Sequence, residues 1–574
     1  MTRPLPRLPA RNLERANLAI AAVLAALVVV GSGAATPAQE AERADGRVGL
    51  REGGRAPDGR VQHGERPGGQ AESRPAESRP GGDTAPRTEG RADARPDSRP
   101  ERDASVRRLP TDSTTEHTLD LGGRTLRFRA TAGSIPLFEG EGGPLRAEVG
   151  YVAFTMAPPA GTPAGARPLT FLFNGGPGAA SAYLNIGAVG PWRLPLDGAS
   201  VSTPPALVPN AETWLDFTDL VFVDPPGTGF SRIVGGEPAR KQFWSVDGDA
   251  EALAVVLRKW IDQTGRRSAP TFLVGESYGG FRVPKLARAL ASDQGVGVRG
   301  LVLISPVLDF ATLAQRRHLP ATWTYALPSM AAAALEARGT FSPAALAEAE
   351  HYAATDYLAD LLKGERDGEA VERLSARVAA LTGLDPALVR RLAGRIDTRT
   401  FQRELFRHQG LVGSAYDATV TAFDPSPSAA RTQFPDPVLD STKAPLTAAI
   451  TALYRGPLKW SHDQPYQLLS GEVNGQWNWG RGRAPPDVVD EVRTILSADR
   501  AARILVVHGA SDLVTPYFAT KQILGQLPVY GEADRLALKV YRGGHMFYSE
   551  DVSRKAFRQD AEAFFRAALG AGSK

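Results

Sequence analysis

The sequence predicts an α/β protein in which a mostly parallel central sheet is flanked by helices. Short segments that are continuously apolar carry this prediction, because such runs are typical of parallel strands covered on both faces. Helical patterns lie between several of them, notably at Val246 to Gln263 and at Phe281 to Ala291, and this alternation favours an open α/β sheet. The apolar segments are LTFLF (169–173), LVFVD (220–224), TFLVG (271–275), GLVLIS (300–305), RILVVHG (503–509) and ALKVY (537–541).

Other elements are predicted before and after these strands along the chain. After Pro110, the segments from His117 to Gly133 and from Ala147 to Met156 alternate polar and apolar residues, which suits antiparallel strands. An apolar-periodic helix is predicted from about Asp551 to Leu569. We therefore expect residues 111–309 and 496–574 to form one α/β domain.

The segment 310–495 interrupts this pattern. Residues 320–415 are rich in Ala, Leu, Glu and Arg with helical periodicity, whereas 415–495 contain more Pro, Gly, Trp and polar residues. We interpret 310–495 as a largely helical cap inserted above the sheet. An independent second domain is the alternative.

The first hundred residues carry targeting and linker patterns. Four arginines precede an apolar run of about 13 residues from Leu18 to Val30, followed by small residues, which is typical of a signal peptide. We assign 1–38 to that signal and expect export to the periplasm or the extracellular space; an uncleaved anchor or a misassigned start is the alternative. Residues 39–110 are rich in Arg, Glu, Pro and Gly and are predicted to be a disordered tether.

Composition excludes several classes of function. The 574 residues carry 67 Lys and Arg against 63 Asp and Glu, a balance too even to indicate a nucleic-acid partner. The chain has no Cys, which removes thiol nucleophiles, disulfides and Cys-ligated metals. No HExxH, Walker or strand-linked GxGxxG motif occurs, so we expect no cofactor and no metal. A nucleophile must then be Ser, Thr, Lys or a carboxylate.

One motif points to a serine nucleophile. GESYG at 275–279 fits G-x-S-x-G, follows the strand TFLV and precedes a helical segment. In this context the turn forces the serine side chain out at the carboxyl end of the strand. Ser277 is the predicted nucleophile.

A serine hydroxyl needs a base, and the base needs an orienting carboxylate. In α/β-hydrolases these groups follow the serine in the order acid, then histidine. Asp512 follows the strand RILVV and His545 follows the strand ALKVY, so both are predicted to reach the sheet edge that carries Ser277. His508 is the competing histidine.

Backbone N–H groups near Ser277 are expected to form an oxyanion hole. One is that of Tyr278, the residue after the nucleophile. Another should come from a glycine-rich loop after an earlier strand, and NGGPG at 174–178 follows LTFLF. Glycine there lets the backbone approach a ligand closely.

Five motifs taken in order resemble the serine carboxypeptidase family, of the carboxypeptidase Y and wheat carboxypeptidase type, in its bacterial branch. They are NGGPGAAS, DPPGTGFS, GESYGG, GASDLVTP and GGHM, and the similarity covers roughly residues 115–570. The resemblance implies an α/β-hydrolase fold and hydrolysis of peptides that have a free C-terminus. It also implies that Asn174 and Glu276 bind the terminal carboxylate, that Gly176 is the second oxyanion donor beside Tyr278, and that the enzyme works best at acidic pH.

Three departures from the family pattern bear on these expectations. Ala188 stands where well-studied members carry a second Glu, so we expect a less raised pKa for Glu276 and an optimum closer to neutrality. Ala179 stands where a Cys is common. The insertion does not align residue by residue, and Trp477 and Trp479 could line a side-chain pocket or pack in the core.

The expected function is that of an exported serine carboxypeptidase using Ser277, His545 and Asp512. An esterase or acyltransferase with the same triad is the alternative, favoured by Ala188. An envelope-binding protein with an inactive hydrolase fold is a third possibility from another class.

Overall fold

The computed structural model describes residues 109–157, 165–196, 202, 206–430, 433–480, 482 and 484–570. All of them belong to one compact unit. The predicted signal peptide (1–38) and all but the last two residues of the predicted tether (39–110) lie outside the described residues.

Fourteen strands lie in this part of the chain. They are β1 (Ser113–Asp120), β2 (Thr125–Phe138), β3 (Leu145–Thr155), β4 (Leu169–Phe173), β5 (Trp192–Arg193), β6 (Val208–Pro209), β7 (Asp219–Val223), β8 (Arg232–Ile233), β9 (Thr271–Glu276), β10 (Gly300–Ile304), β11 (Leu411–Gly413), β12 (Thr421–Phe423), β13 (Arg503–Gly509) and β14 (Leu536–Tyr541).

Ten of these strands form one sheet whose order is β1-β2-β3-β7-β4-β9-β10-β13-β14, with β8 paired to β3. Six strands, β7, β4, β9, β10, β13 and β14, run parallel to one another. β1, β2 and β3 pair antiparallel, and β3 pairs antiparallel to β7. The six apolar segments of the sequence are β4, β7, β9, β10, β13 and β14, so the predicted mostly parallel sheet is confirmed. β14 is the edge strand and is only partly buried, unlike its fully buried neighbour β13.

Sixteen α-helices lie among the described residues. They are α1 (Ala182–Leu184), α2 (Gly236–Phe243), α3 (Val246–Gln263), α4 (Tyr278–Asp293), α5 (Ala321–Thr324), α6 (Leu327–Ala337), α7 (Pro343–Ala354), α8 (Asp356–Lys363), α9 (Gly368–Thr382), α10 (Pro386–Arg391), α11 (Thr398–Glu404), α12 (Pro437–Arg455), α13 (Gly471–Gly475), α14 (Val489–Ala498), α15 (Tyr517–Gly525) and α16 (Asp551–Gly570).

Apolar residues cover the sheet on both faces, because successive side chains of a strand point to opposite sides. On one face Phe272 of β9 stacks on Phe565 of α16, with ring centroids 4.1 Å apart. On the other face the adjacent Leu273 lies in a core with residues of α3 and α4. Burying a side chain of this size stabilises a fold by roughly 1.5–3 kcal/mol, so both helix layers are held to the sheet.

Seven helices, α5 to α11, lie between residues 321 and 404. They enclose an apolar cluster that is separate from the two covering the faces of the sheet. It includes Leu513, from the loop after β13, and Tyr517 of α15. The segment 310–495 therefore packs on the carboxyl end of the sheet. Its boundaries as a separate insertion remain a prediction.

None of the helices in the described ranges has the length and apolar character needed to span a bilayer.

Candidate active site

Ser277 occupies the tight turn between β9 and α4. Its backbone has φ +61° and ψ −123°, a strained conformation for a residue other than glycine. Its N–H donates to Ile304 O of β10 at 2.9 Å. The turn requires its glycines, because a Cβ on Gly275 would lie 2.0 Å from Gly279 O. The predicted nucleophile is thus presented where β9 ends.

His545 and Asp512 meet at the same edge of the sheet, in the loops after β14 and β13. His545 Nδ1 lies 2.8 Å from Asp512 Oδ2, and both side chains are buried. Ser277 and His545 line one cavity, although no hydrogen bond joins them among the described residues. Such bonds are often long before substrate binds. The structure brings these three predicted residues to one place.

The electrostatics of the pair suit a base held by a carboxylate. Burial favours the neutral form of Asp512, but the charge and hydrogen bond of His545 outweigh it, and the pKa of Asp512 is lowered. Burial likewise opposes a charge on His545, yet the Asp512 carboxylate raises the pKa of that imidazole above its usual value. Asp512 therefore stays ionised and stabilises the imidazolium form.

Thr515 braces this pair and was missed by the sequence reasoning. Its Oγ1 lies 2.7 Å from Asp512 Oδ2, 3.1 Å from His545 Nδ1 and 2.9 Å from Ser305 O. Ser305, at the end of β10, also donates from its Oγ to His545 O at 2.8 Å. Ser305, after β10, and Thr515, in the loop after β13, thus hold the His545–Asp512 pair in place.

The NGGPG loop packs directly against the nucleophile turn. A Cβ on Gly175 would lie 2.5 Å from Tyr278 N, so only glycine allows this approach. Gly176 has φ +100°. Among the described residues, neither its N–H nor that of Tyr278 donates to another backbone group. Both lie on the cavity that holds Ser277, as an oxyanion hole would require.

A buried arginine ties this loop to two helices. Arg282 of α4 donates from Nη1 to Asn174 O at 2.6 Å, and from Nε to Asp249 Oδ2 of α3 at 2.5 Å. Both charged side chains are 1% exposed. Since a buried charge is stable only when it is paired, this contact fixes the loop relative to α4.

Glu276 and Asn174 lie beside each other in the cavity wall. Burial raises the pKa of Glu276 to about 7, although His545 and hydrogen bonds from Tyr548 and Asn174 favour its ionised form. Asn174 Oδ1 accepts the N–H of Leu184 at 3.0 Å. With Ala188 in place of a second glutamate, a less raised pKa was expected for Glu276. Burial raises this pKa without a second acid.

The cavity around Ser277 has a volume of about 200 Å³. Its wall combines the predicted site residues with apolar side chains and with groups from the segment 310–495. These are Phe310, Leu313, Tyr416, Leu439, Asp440, Lys443 and Leu469. A cavity with an apolar lining and few polar groups is typical of a small-ligand or peptide-end site.

The other candidate residues lie outside this wall. His508 is fully buried, its Nε2 lies 3.1 Å from Thr520 Oγ1, and burial lowers its pKa to about 4. Trp477 and Trp479 pack edge-on against the Tyr278 ring, with centroids 5.3 and 5.8 Å away, so they support the wall from behind. Within the described ranges, no three His, Asp or Glu side chains are arranged to hold a metal ion.

The sheet topology, with its cavity at the strand ends, is that of the α/β-hydrolase fold. Residues 151–333 match the family model of the serine carboxypeptidases. Over 155 residues the chain is 30% identical to serine carboxypeptidase-like 5 of Arabidopsis thaliana, covering 25% of this chain and 34% of that protein. It is 33% identical over 146 residues to a pheromone-processing carboxypeptidase of Leptosphaeria maculans, covering 23% and 21% of the two chains.

A solved structure with a similar arrangement is that of a prohormone-processing carboxypeptidase from Saccharomyces cerevisiae. It is 15% identical, with a TM-score of 0.49, over 76% of this chain and 91% of that one. The matched regions span about a third and a fifth of the two curated relatives' lengths, 34% and 21%. The family model and the sequence matches thus show a similarity to serine carboxypeptidases over part of this chain.

Proposed function

We propose that this protein is a serine carboxypeptidase that removes residues from the C-terminus of peptides. The observation that carries the proposal is the position of Glu276 and Asn174 in the same wall as Ser277 and His545. An acid adjacent to the nucleophile can hold the end of a peptide at the distance of one residue from the reacting serine. A general esterase has no need of this pair.

The reaction follows from the placement of each group. Ser277 Oγ attacks the carbonyl carbon of the last peptide bond while His545 takes its proton. The N–H groups of Gly176 and Tyr278 bind the oxyanion of the tetrahedral intermediate. His545 then gives the proton to the departing amino group, which leaves as the free C-terminal amino acid. Water, activated by His545, hydrolyses the acyl-enzyme, and Asp512 orients the imidazole throughout.

Glu276 determines the pH range in which the terminal carboxylate binds. Below its pKa of about 7, Glu276 is protonated and can donate a hydrogen bond to the substrate carboxylate. Above that pH it is ionised and repels the substrate. We expect kcat/KM for free peptides to fall as the pH rises above about 7, whereas ester substrates without a carboxylate keep their rate.

The decisive test is cleavage of one N-terminally blocked peptide supplied as the free acid and as the C-terminal amide. Mass spectrometry should find stepwise loss of C-terminal residues from the acid and little cleavage of the amide. Ser277→Ala should cost at least about 10³-fold in kcat. Equal cleavage of both peptides would contradict the carboxylate site, and activity on esters alone would support the esterase or acyltransferase reading.

Export and the bacterial assignment belong to the proposal as well. The apolar run Leu18–Val30 behind its arginines supports a signal peptide. The relatives described above are from a plant and a fungus, so the bacterial branch stays a prediction from the motifs. N-terminal sequencing of the mature protein from its native host would test the cleavage near residue 38.

A further inference from the structure

Glu276 has a hydrogen-bond partner that the motif series does not contain. Tyr548 Oη donates to Glu276 Oε2 at 2.7 Å, and both side chains are buried. Tyr548 lies in the short turn Phe547–Ser549, three residues after His545. One loop therefore reaches the base and the carboxylate-binding acid together.

We propose that Tyr548 is a positioning residue for substrate binding: its hydroxyl holds Glu276 Oε2 and leaves Oε1 for the terminal carboxylate of the peptide. This inference rests on the proposed function and deepens it. Tyr548 contacts Glu276 and fixes the orientation of this acid, which faces the substrate.

Gly187 lies close to the Tyr548 ring. A Cβ on Gly187 would lie 3.6 Å from Tyr548 Cε2, and the adjacent Ala188 is buried in the same apolar cluster as Tyr548. Residue 188 is where the family pattern carries its second glutamate. In this chain the hydroxyl of Tyr548 lies beside Glu276, while residue 188 has no carboxyl group.

The turn that carries Tyr548 is itself held in place. Arg554 of α16 donates from Nη1 to Tyr548 O at 3.0 Å and to Ser549 O at 3.3 Å. The Arg554 side chain is 3% exposed and also pairs with Glu212. A donor on a braced turn directs Glu276 more precisely than a donor on a free loop.

A tyrosine hydroxyl acts differently from a second carboxylic acid. Burial and the nearby Glu276 charge raise the pKa of Tyr548 well above its usual value, so it remains a donor over the whole working range. It favours the ionised form of Glu276 and so lowers the pKa of that acid against the effect of burial. The ionisable groups that interact with Glu276 are Tyr548, His545, Asp512, Tyr183 and Tyr416.

The test compares Tyr548→Phe with a matched control. Tyr541 also donates to a carboxylate at 2.7 Å, that of Asp560, and is not among the residues that line the cavity. Both substitutions remove one tyrosine–carboxylate hydrogen bond and keep the ring. Each variant is assayed as kcat and KM from about pH 5 to 9 on a blocked dipeptide acid and on a matched ester, with thermal unfolding as the check on folding.

Tyr548→Phe should raise KM for the acid about tenfold, because the protonated carboxyl of Glu276 loses the hydrogen bond that fixes its orientation. It should also move the alkaline limb of kcat/KM upward by about one pH unit, since the ionised form of Glu276 loses a donor. The ester kinetics and the Tyr541→Phe profile should match the wild type.

Three outcomes separate the two proposals. Wild-type enzyme that ignores the terminal carboxylate would overturn the proposed function. Wild-type enzyme that requires it, with Tyr548→Phe unchanged in KM and pH limb, would overturn the role of Tyr548 alone. If Tyr548→Phe unfolds, Arg554→Lys tests the same contact, because it loosens the turn that carries Tyr548. An unchanged KM for the acid and an unchanged alkaline limb in a folded Arg554→Lys would overturn the role of Tyr548.

Discussion

The brace on the His545–Asp512 pair predicts a specific effect of Thr515→Val. Valine keeps the branched shape of threonine and removes the hydroxyl that lies 2.7 Å from Asp512 Oδ2 and 3.1 Å from His545 Nδ1. It also removes the hydrogen bond that the Thr515 hydroxyl donates to Ser305 O at 2.9 Å. The perturbation therefore acts on the dyad and leaves Ser277 itself intact.

The size of the effect follows from the bonds that are lost. A hydrogen bond to a charged group contributes about 1.5–3 kcal/mol. Asp512 keeps its hydrogen bonds from the N–H groups of Val514 and Thr515 at 2.8 and 3.0 Å, so these backbone donors still stabilise the charged carboxylate. We expect the free energy of unfolding to fall by about 2 kcal/mol. If the contact persists in the transition state, kcat falls by about 10- to 100-fold.

The assay measures kcat and KM on an ester and on a peptide acid, together with urea unfolding. The low-field proton resonance of His545 Nδ1–H reports on the dyad and should weaken or shift in Thr515→Val. Thr515→Ser keeps the hydroxyl and should restore most of kcat. Wild-type kcat in Thr515→Val would refute the reasoning, and equal losses in the Ser and Val variants would assign the effect to packing of the methyl group.

Three further predictions concern the groups around the nucleophile turn. Burial raises the pKa of Glu276 from 4.5 to about 7, so between these pH values the folded state holds a proton that the unfolded state has lost. The free energy of unfolding should therefore fall by about 3 kcal/mol as the pH rises through this range. Urea titrations should find no such fall in Glu276→Gln, and an equal fall in the variant would contradict the prediction. Arg282→Met leaves Asp249 buried without its partner and should destabilise the protein by about 3–5 kcal/mol, so an unchanged denaturation midpoint would refute the contact. Gly175→Ala places a Cβ 2.5 Å from Tyr278 N and should lower kcat/KM at least about 10²-fold, with normal kinetics showing that the loop can move aside.

Much of the sheet could be predicted from the sequence, for a physical reason. Strands buried on both faces are apolar at nearly every position, and the segments that became β4, β9 and β10 have that pattern. The strand ends also placed Ser277 and His545 on one edge, because parallel strands all end there. The edge strand β14 was predicted as a buried strand, although it has a neighbour on one side only.

The residues that hold the site could not be predicted in the same way. Thr515 precedes a proline in a motif where it reads as part of a turn, and its hydroxyl gains its role from Ser305, 210 residues earlier in the chain. Tyr548 contacts Glu276 across 272 residues. Side-chain hydrogen bonds over such separations depend on how the layers pack, which periodicity does not encode. A tyrosine shortly after the histidine motif was the only available signal.

The segment 310–495 contributes more than a wall to the cavity. His545 N–H donates to Tyr416 O at 2.5 Å, and Gly544 N–H donates to Asp417 Oδ2 at 3.0 Å. Asp417 Oδ1 accepts from Ser511 Oγ at 3.2 Å, beside Asp512. One aspartate of this segment therefore joins the loop of the base to the loop of the acid.

Asp417→Asn tests whether that junction matters for the reaction. The amide nitrogen introduced at position 417 would face the N–H of Gly544 in one orientation and the N–H of Thr419 in the other. Either orientation breaks a hydrogen bond of this junction, so kcat should fall by about 10-fold or more. Asp424 is the matched control: it is equally buried in the same segment at 7% exposure, but it pairs with Arg403, and Asp424→Asn should lose stability while it keeps kcat. Because Asp417 acts on the loops, the KM for peptide acids should change little in Asp417→Asn; a raised KM with normal kcat would instead mean that this part of the segment binds substrate without aligning the dyad.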